Sequence, residues 1–338
     1  MTLTGRRKVI LQTIVADYII GAQPVASKTI VLKHSLKVST ATVRNDMAYL
    51  EREGYIVRPY ASAGSMPTDK AYRYYVESIS EDIELPTSEQ YVTSQLFQEA
   101  KEEIDEWLKL TAVLLSRLVR NMAVVTSPKA TPYHFRHLDL VSIQDFLALL
   151  ILVLCEAKIV QKILSFNRAF TQDELTKMAN KFNDLYAGMD NNQILASKGG
   201  LPPEEEQLSE YLAQTMAAED KQAYGKLYLE GLRLLLGQPE FCYNPRFPSI
   251  LGVLESEDWL ERISCQIPSL GEIKIIIGAE NPETTLQDLS LIISQYGIPS
   301  RVSGFLGVVG PKRMDYVRAI SSLSYLTTLL NYKVTQYI

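Results

Sequence analysis

The sequence predicts an α+β multidomain chain, in which a small basic helical module precedes a larger acidic body of mixed helices and strands. Three observations predict it. The 338 residues exceed what one hydrophobic core usually organises. Charge is divided unevenly: residues 1–79 hold eleven Lys/Arg against six Asp/Glu, a net of +5, and the remainder carries −10. Hydrophobic spacing is helical over the first fifty residues and gives way to strand-like runs further on. A content of 46% hydrophobic and 22% charged residues belongs to a globular chain and not to a disordered one.

Taken in order, Ile10, Leu11, Ile14, Val15 and Tyr18 recur at three- and four-residue spacing and predict a first helix from about Thr4 to Ile20. Gly21 stops it, and Pro24 opens a second helix reaching about His34. After the turn Ser35-Leu36-Lys37-Val38, Ser39 is a good N-cap for a third helix, Thr40 to Glu53, which Gly54 ends. The run Tyr55–Tyr60, the small residues Ala61–Thr68 and the basic stretch from Asp69 to Tyr75 read as a hairpin wing that returns into a helix. Two helices joined by a tight turn and followed by a wing make a winged helix-turn-helix.

That arrangement gives the third helix a function. Val43, Met47 and Leu50 face inward, while Ala41, Asn45, Ala48 and Arg52 lie opposite, with Thr40 and Arg44 on the flank. Small residues let such a helix approach base edges, Arg pairs with guanine and Asn with adenine. The expected DNA-binding residues are therefore Ser39, Thr40, Thr42, Arg44, Asn45 and Arg52, with Arg58, Lys70 and Arg73 placed to meet phosphates or a minor groove. Tyr72, Tyr74 and Tyr75 suit packing between domains better than base stacking.

An acidic segment with Pro86 follows as a linker, then one long helix from about Ser88 to Met122. Strands are expected at Phe135–Ser142, Phe146–Cys155, Lys158–Ser165, Glu272–Gly278, Leu286–Tyr296 and Arg301–Val309, and a last helix from about Lys312 to Leu330. Between the two groups of strands the pattern is helical. Thr171-Gln172-Asp173-Glu174 is a capping box, and Glu204–Glu219 and Lys221–Leu236 read as further helices. The expected division is 1–79 for the winged helix, 80–87 for the linker, 88–166 with 247–338 for an α+β domain, and 167–246 for a helical insertion.

Enzyme chemistry finds no foothold, and neither cofactor nor metal is expected. His134 and His137 stand three apart without a Cys or carboxylate cluster, and no nucleophile elbow or P-loop appears. Gly304, Gly307 and Gly310 lie in and after a strand, where bulges and turns explain them. The longest apolar run, Phe146 to Cys155, is about half of what a membrane-spanning helix needs. With no signal peptide legible and three scattered cysteines, a cytoplasmic chain without a membrane partner is expected.

Several of these motifs resemble one family. Pro24–Thr29, Ser39–Met47, Leu50–Tyr55, the wing with Ser62-Ala63-Gly64, Pro67–Lys70 and Tyr72–Tyr75, and the C-terminal Gly310–Tyr316 are similar to the heat-inducible transcription repressor HrcA family. The resemblance departs at Ser65, where the family usually carries a basic residue, and at Ala71, where it often has glycine. It implies a GAF-like body whose inserted helical subdomain helps to hold a homodimer. Leu227, Leu232 and Leu235 suit either that contact or the insertion's own core. It also implies a repressor of heat-shock chaperone operons that grips an inverted-repeat operator, releases it on heat shock, and depends on a GroE-type chaperonin. The alternative is a metabolite-responsive winged-helix regulator with its ligand in the GAF-like domain.

Overall fold

The computed structural model describes all residues except 1–2, 34–37, 61–62, 81–82, 102, 131, 156–158, 198, 222–224, 242–245, 257–258, 261–262, 264–265, 300 and 338. The N-terminal region holds α1 (Gly5–Gly21), α2 (Ser27–Lys33), α3 (Thr40–Arg52), β1 (Ile56–Val57), β2 (Met66–Pro67) and α4 (Asp69–Glu77). The chain continues through α5 (Thr87–Glu99), α6 (Ile104–Val119), β3 (Met122–Thr126), β4 (Lys129–Ala130), β5 (Phe135–Gln144), β6 (Leu147–Leu154) and β7 (Ile159–Ser165). Next come α7 (Gln172–Tyr186), α8 (Asn191–Ser197), α9 (Pro203–Lys221), β8 (Leu227–Glu230), α10 (Leu232–Leu236) and α11 (Phe247–Glu255). The remaining elements are β9 (Ile273–Ile277), β10 (Leu289–Ile298), β11 (Val302–Pro311) and α12 (Tyr316–Tyr337). They fall into two units, one of residues 1–127, 226–297 and 304–337, the other of 128–225 with 298–303.

In the first unit, α1, α2 and α3 close over Ile10, Leu11, Ile14, Val15, Val43, Met47 and Leu50, all buried as the helical spacing predicts, together with Ile30 of α2, while Tyr18 is half-buried. The wing is a minimal antiparallel ladder, with Ile56 opposite Pro67 and Val57 opposite Met66. The expected turn residues 35–37 and the wing residues 61–62 lie outside the described residues. The body is a sheet in the order β8-β3-β11-β10-β9. The pairs β3–β8, β3–β11 and β9–β10 are antiparallel. Helix α6 packs on β3 and on α12. Trp259, Leu260 and Ile263 cover Val124, Leu291 and Phe305, leaving a cavity of about 10 Å³. An antiparallel sheet flanked by helices fits the expected α+β, GAF-like class.

The second unit is a three-stranded sheet, β5-β6-β7, with α7 laid across β5. Its buried face carries Phe135, Leu138, Leu140, Leu150, Leu152 and Val160. Two side chains of α7 close the outer edge of β5. Asn183 accepts from the Leu138 N–H at 2.7 Å and donates to its carbonyl at 3.0 Å, and Gln172 does the same for the Ser142 N–H and the Leu140 carbonyl. Strand edges left open invite pairing with another chain, and these two amides prevent it on this side. The capping box at Thr171 and Glu174 forms as the sequence predicts.

Several expectations are corrected. The long helix over 88–122 is two helices: Ala100 leaves the helical region with ψ of 146°, and Glu103 is extended. The charged run Lys101–Glu103 interrupts the apolar spacing, and Asp105 and Glu106 then occupy the first turn of α6, where the helix dipole favours acids. Met122, expected to end that helix, instead opens the wholly buried strand β3, Met122–Thr126, where no strand is expected. Lys221–Leu236, read as a helix, contains β8, because pairing of Leu227–Glu230 with Ala123–Thr126 outweighs local helical propensity. The strands therefore divide differently from the expected 88–166 and 167–246. Strands β5–β7 pair with one another and cluster with α7–α9, whereas Leu227, Leu232 and Leu235 belong to the main body.

Candidate nucleic-acid interface

Helix α3 begins where the sequence places it. Ser39 is extended, its Oγ accepts from the Thr42 N–H at 3.1 Å, and the two hydroxyls lie 3.0 Å apart. Ser39 and Thr42 thus serve first as the cap, satisfying a donor that the first helical turn leaves free. Beyond them Thr40, Ala41, Arg44, Asn45, Ala48 and Arg52 are exposed along one face. Among the described residues, neither Arg44 nor Asn45 has a side-chain hydrogen bond or ion pair. A cation and an amide with uncommitted donors stand beside two alanines, at the end of the helix that the cap fixes.

The opposite side of α3 is held by residues that sequence reasoning passed over. Asp46 is buried, and its carboxylate accepts from Arg6 Nε at 2.6 Å and from Arg7 Nε at 3.0 Å. Burial alone would raise the pKa of this carboxyl. The hydrogen bonds and charges of Arg6 and Arg7 outweigh that and hold it below the usual aspartate value. The Arg7 guanidinium also stacks 3.6 Å from the centre of the Tyr49 ring, and Arg52 lies 5.3 Å from the same centre. An acidic residue at an otherwise apolar inward position of α3 was the available signal, since such a residue needs cationic partners. Arg6 remains largely exposed, as do Lys8 and Lys28.

The wing is seated by main-chain contacts. Val25 and Ser65 exchange two backbone hydrogen bonds of 2.9 Å each. A Cβ on Gly64 would lie 2.6 Å from the Pro24 carbonyl, so only glycine fits this close approach. Ser65 is fully buried, which removes it from any wing-tip contact.

The three cations expected on phosphates are all engaged within the chain. Arg58 meets Glu51 at 3.3 Å. Lys70 donates to the Glu53 carbonyl at 2.8 Å and sits 4.2 Å from the centre of the Tyr55 ring. Arg73 turns toward the body, donating to Glu280 Oε1 at 2.8 Å and to the Ile275 carbonyl at 2.7 Å. The structure therefore brings Thr40, Arg44, Asn45 and Arg52 together on one open face, with Arg58 and Lys70 at its edge. It directs Arg73 elsewhere, because a carboxylate and a carbonyl on the body side suit its fork of donors.

Residues 27–68 match the family described as DeoR-like helix-turn-helix domain, and residues 105–320 match the HrcA protein C terminal domain. The heat-inducible transcription repressor HrcA of Dehalococcoides mccartyi (strain ATCC BAA-2266 / KCTC 15142 / 195) is 42% identical over 334 residues, covering 99% of this chain and 96% of the relative. That of Chloroflexus aggregans (strain MD-66 / DSM 9485) is 35% identical over 346 residues, covering 97% and 92%. A crystal structure of a hypothetical protein shares the fold with a TM-score of 0.62, at 20% identity and with both chains covered completely. No described helix is long and apolar enough to cross a membrane.

Proposed function

The chain belongs to the HrcA family of heat-inducible transcription repressors, and from that premise we propose that it acts as a cytoplasmic homodimer, reading an inverted-repeat operator with the exposed face of α3. The observation that carries this reading is the pair Arg44 and Asn45, outward and uncommitted on a helix whose back is fixed by Asp46. In a major groove Arg44 pairs with a guanine and Asn45 with an adenine, while Thr40 holds the backbone beside Ser39 and Thr42, and Arg52, Arg58 and Lys70 hold it at the far end of the helix. Two-fold symmetry sets the half-sites about 10 bp apart, or a multiple of that.

The homodimer draws support from the second unit. Leu149 of β6 stands between Val141 and Ile163 in the strand register, and Val153 stands beside Ile159. Val141, Ile159 and Ile163 are exposed, so this sheet presents an apolar face suited to a second copy. By the family resemblance, the targets are heat-shock chaperone operons, and a GroE-type chaperonin brings the chain to its DNA-binding form. Warming that separates the dimer removes the joint grip on two half-sites, and affinity with it.

Fluorescence anisotropy with a duplex selected by the full chain from random-sequence DNA tests the site. Arg44→Ala lowers affinity by about 1–3 kcal/mol, roughly 5- to 150-fold, and relaxes preference at one base position. Unchanged affinity and preference reject the assignment. The metabolite-responsive alternative is not favoured. Among the described residues, the cavity lined by Trp259 holds about 10 Å³, room for one water at most, where small-molecule sites need hundreds. A wider groove of about 560 Å³ beside β9 is open, and Arg73 in its wall is already committed to Glu280.

A further inference from the structure

The two motifs that stand at opposite ends of the sequence, around Asp69–Arg73 and Lys312–Tyr316, meet in space. On α4, Asp69 Oδ2 accepts from the Ala279 N–H at 3.0 Å, and its Oδ1 pairs with Lys312 Nζ at 2.8 Å. One turn further along, Arg73 clasps the Glu280 carboxylate with Nε and Nη2 and donates to the Ile275 carbonyl. The receiving turn is shaped for this approach. Gly278 has φ of +52°, and a Cβ there would fall 2.1 Å from Asp69 Oδ2. Between these polar contacts the buried Tyr72 ring faces that of Tyr316, 6.1 Å between centres. Tyr316 is itself fixed by donating to the Lys312 carbonyl at 2.6 Å. A second tether lies on α1: Arg313 donates to the Ile19 carbonyl at 3.0 Å and to Gln238 Oε1 at 2.9 Å, and pairs with Glu240.

Neither set of contacts touches the exposed face of α3. They hold its scaffold, α1 and α4, to the body at two separate points, with bidentate and charge-assisted geometry that resists rotation. We propose that Asp69, Arg73, Glu280, Lys312 and Arg313 form a positioning latch, which sets the angle of the winged helix on the body and so the separation at which two recognition helices can engage DNA together. The latch acts on spacing and not on base reading: a single half-site is met equally well by a tilted winged helix, but two half-sites on a fixed dimer are not. This inference rests on the homodimeric reading above.

The test uses the full chain and three duplexes: the inverted repeat selected by the wild type, the same duplex with one arm scrambled, and one with about five base pairs, half a helical turn, added between the arms. The wild type prefers the first over both others. Equal binding of all three overturns the two-half-site reading and the latch with it. Given that preference, Glu280→Gln weakens binding to the intact repeat about tenfold, leaves the single arm within twofold, and erases the preference for native spacing. The salt dependence stays as in the wild type. The charge exchange Arg73→Glu with Glu280→Arg restores spacing preference, which guards against a merely misfolded single variant. The latch is overturned if Glu280→Gln discriminates spacing as the wild type does, or if the exchange restores nothing. It is also overturned if Arg73→Ala weakens single-arm binding and lowers the salt slope by about one, the mark of a direct phosphate contact.

Discussion

At the scale of single residues, Asp46 decides how α3 is held. Its carboxylate is buried beneath two arginines of α1, so Asp46→Ala leaves both guanidinium groups without their shared acceptor. The expected cost is about 1–3 kcal/mol of stability, measured by urea denaturation, with weaker DNA binding as a consequence. The pH dependence follows from the depressed pKa. A carboxyl whose folded value lies below its unfolded one contributes stability fully above the unfolded value of about 4, and that contribution is lost as pH falls through the folded value. The wild type therefore loses stability on acidification below about pH 4 more steeply than Asp46→Asn, and parallel acid profiles of the two proteins would contradict this. Gly64 makes a separate point: Gly64→Ala forces a methyl against the Pro24 carbonyl, and a loss of about 1–3 kcal/mol is expected as the wing moves off its seat.

At the scale of elements, the N-terminal module was the most legible part of the sequence, because its signals are local. A stripe at helical spacing fixed α1, and a serine cap fixed the start of α3 to the residue. Its outward residues follow from the same periodicity. The cap separates fold from binding in one experiment. Ser39→Ala removes the hydrogen bond to Thr42 and costs about 0.5–2 kcal/mol of stability, whereas Ser39→Asp keeps a capping oxygen and the melting temperature but places a negative charge against phosphate. Equal DNA affinity for Ser39→Asp and the wild type would show that this end of the helix lies away from DNA. The body was less legible. Strands β3 and β8 are short, and both depend on partners more than a hundred residues away in sequence, β8 on β3 and β3 on β8 and β11. No window of local propensity contains that information. The partner of Arg73 was illegible for the same reason. Charge and position suggested a use for Arg73, but Glu280, two hundred residues distant, claims it.

At the scale of the whole molecule, a winged helix of net +5 is joined to the acidic remainder of a chain with net charge −5. Positive charge that attracts duplex DNA is thereby concentrated in the N-terminal module. The proposed pairing of two chains would double the number of phosphates engaged. Ile163→Asp on the exposed face of the three-stranded sheet is expected to shift the chain toward monomer in sedimentation and to weaken binding to an inverted repeat at least tenfold, with little change on a single arm. A dimer that survives this charge would place the contact elsewhere. The most direct test of the account is to titrate the full chain and Arg44→Ala against the selected inverted repeat and against duplexes in which each base pair of one arm is changed in turn. The account predicts that the wild type loses about 1–3 kcal/mol at a guanine position to which Arg44→Ala is indifferent. If both proteins respond alike at every position, α3 does not read the bases, and the account is contradicted.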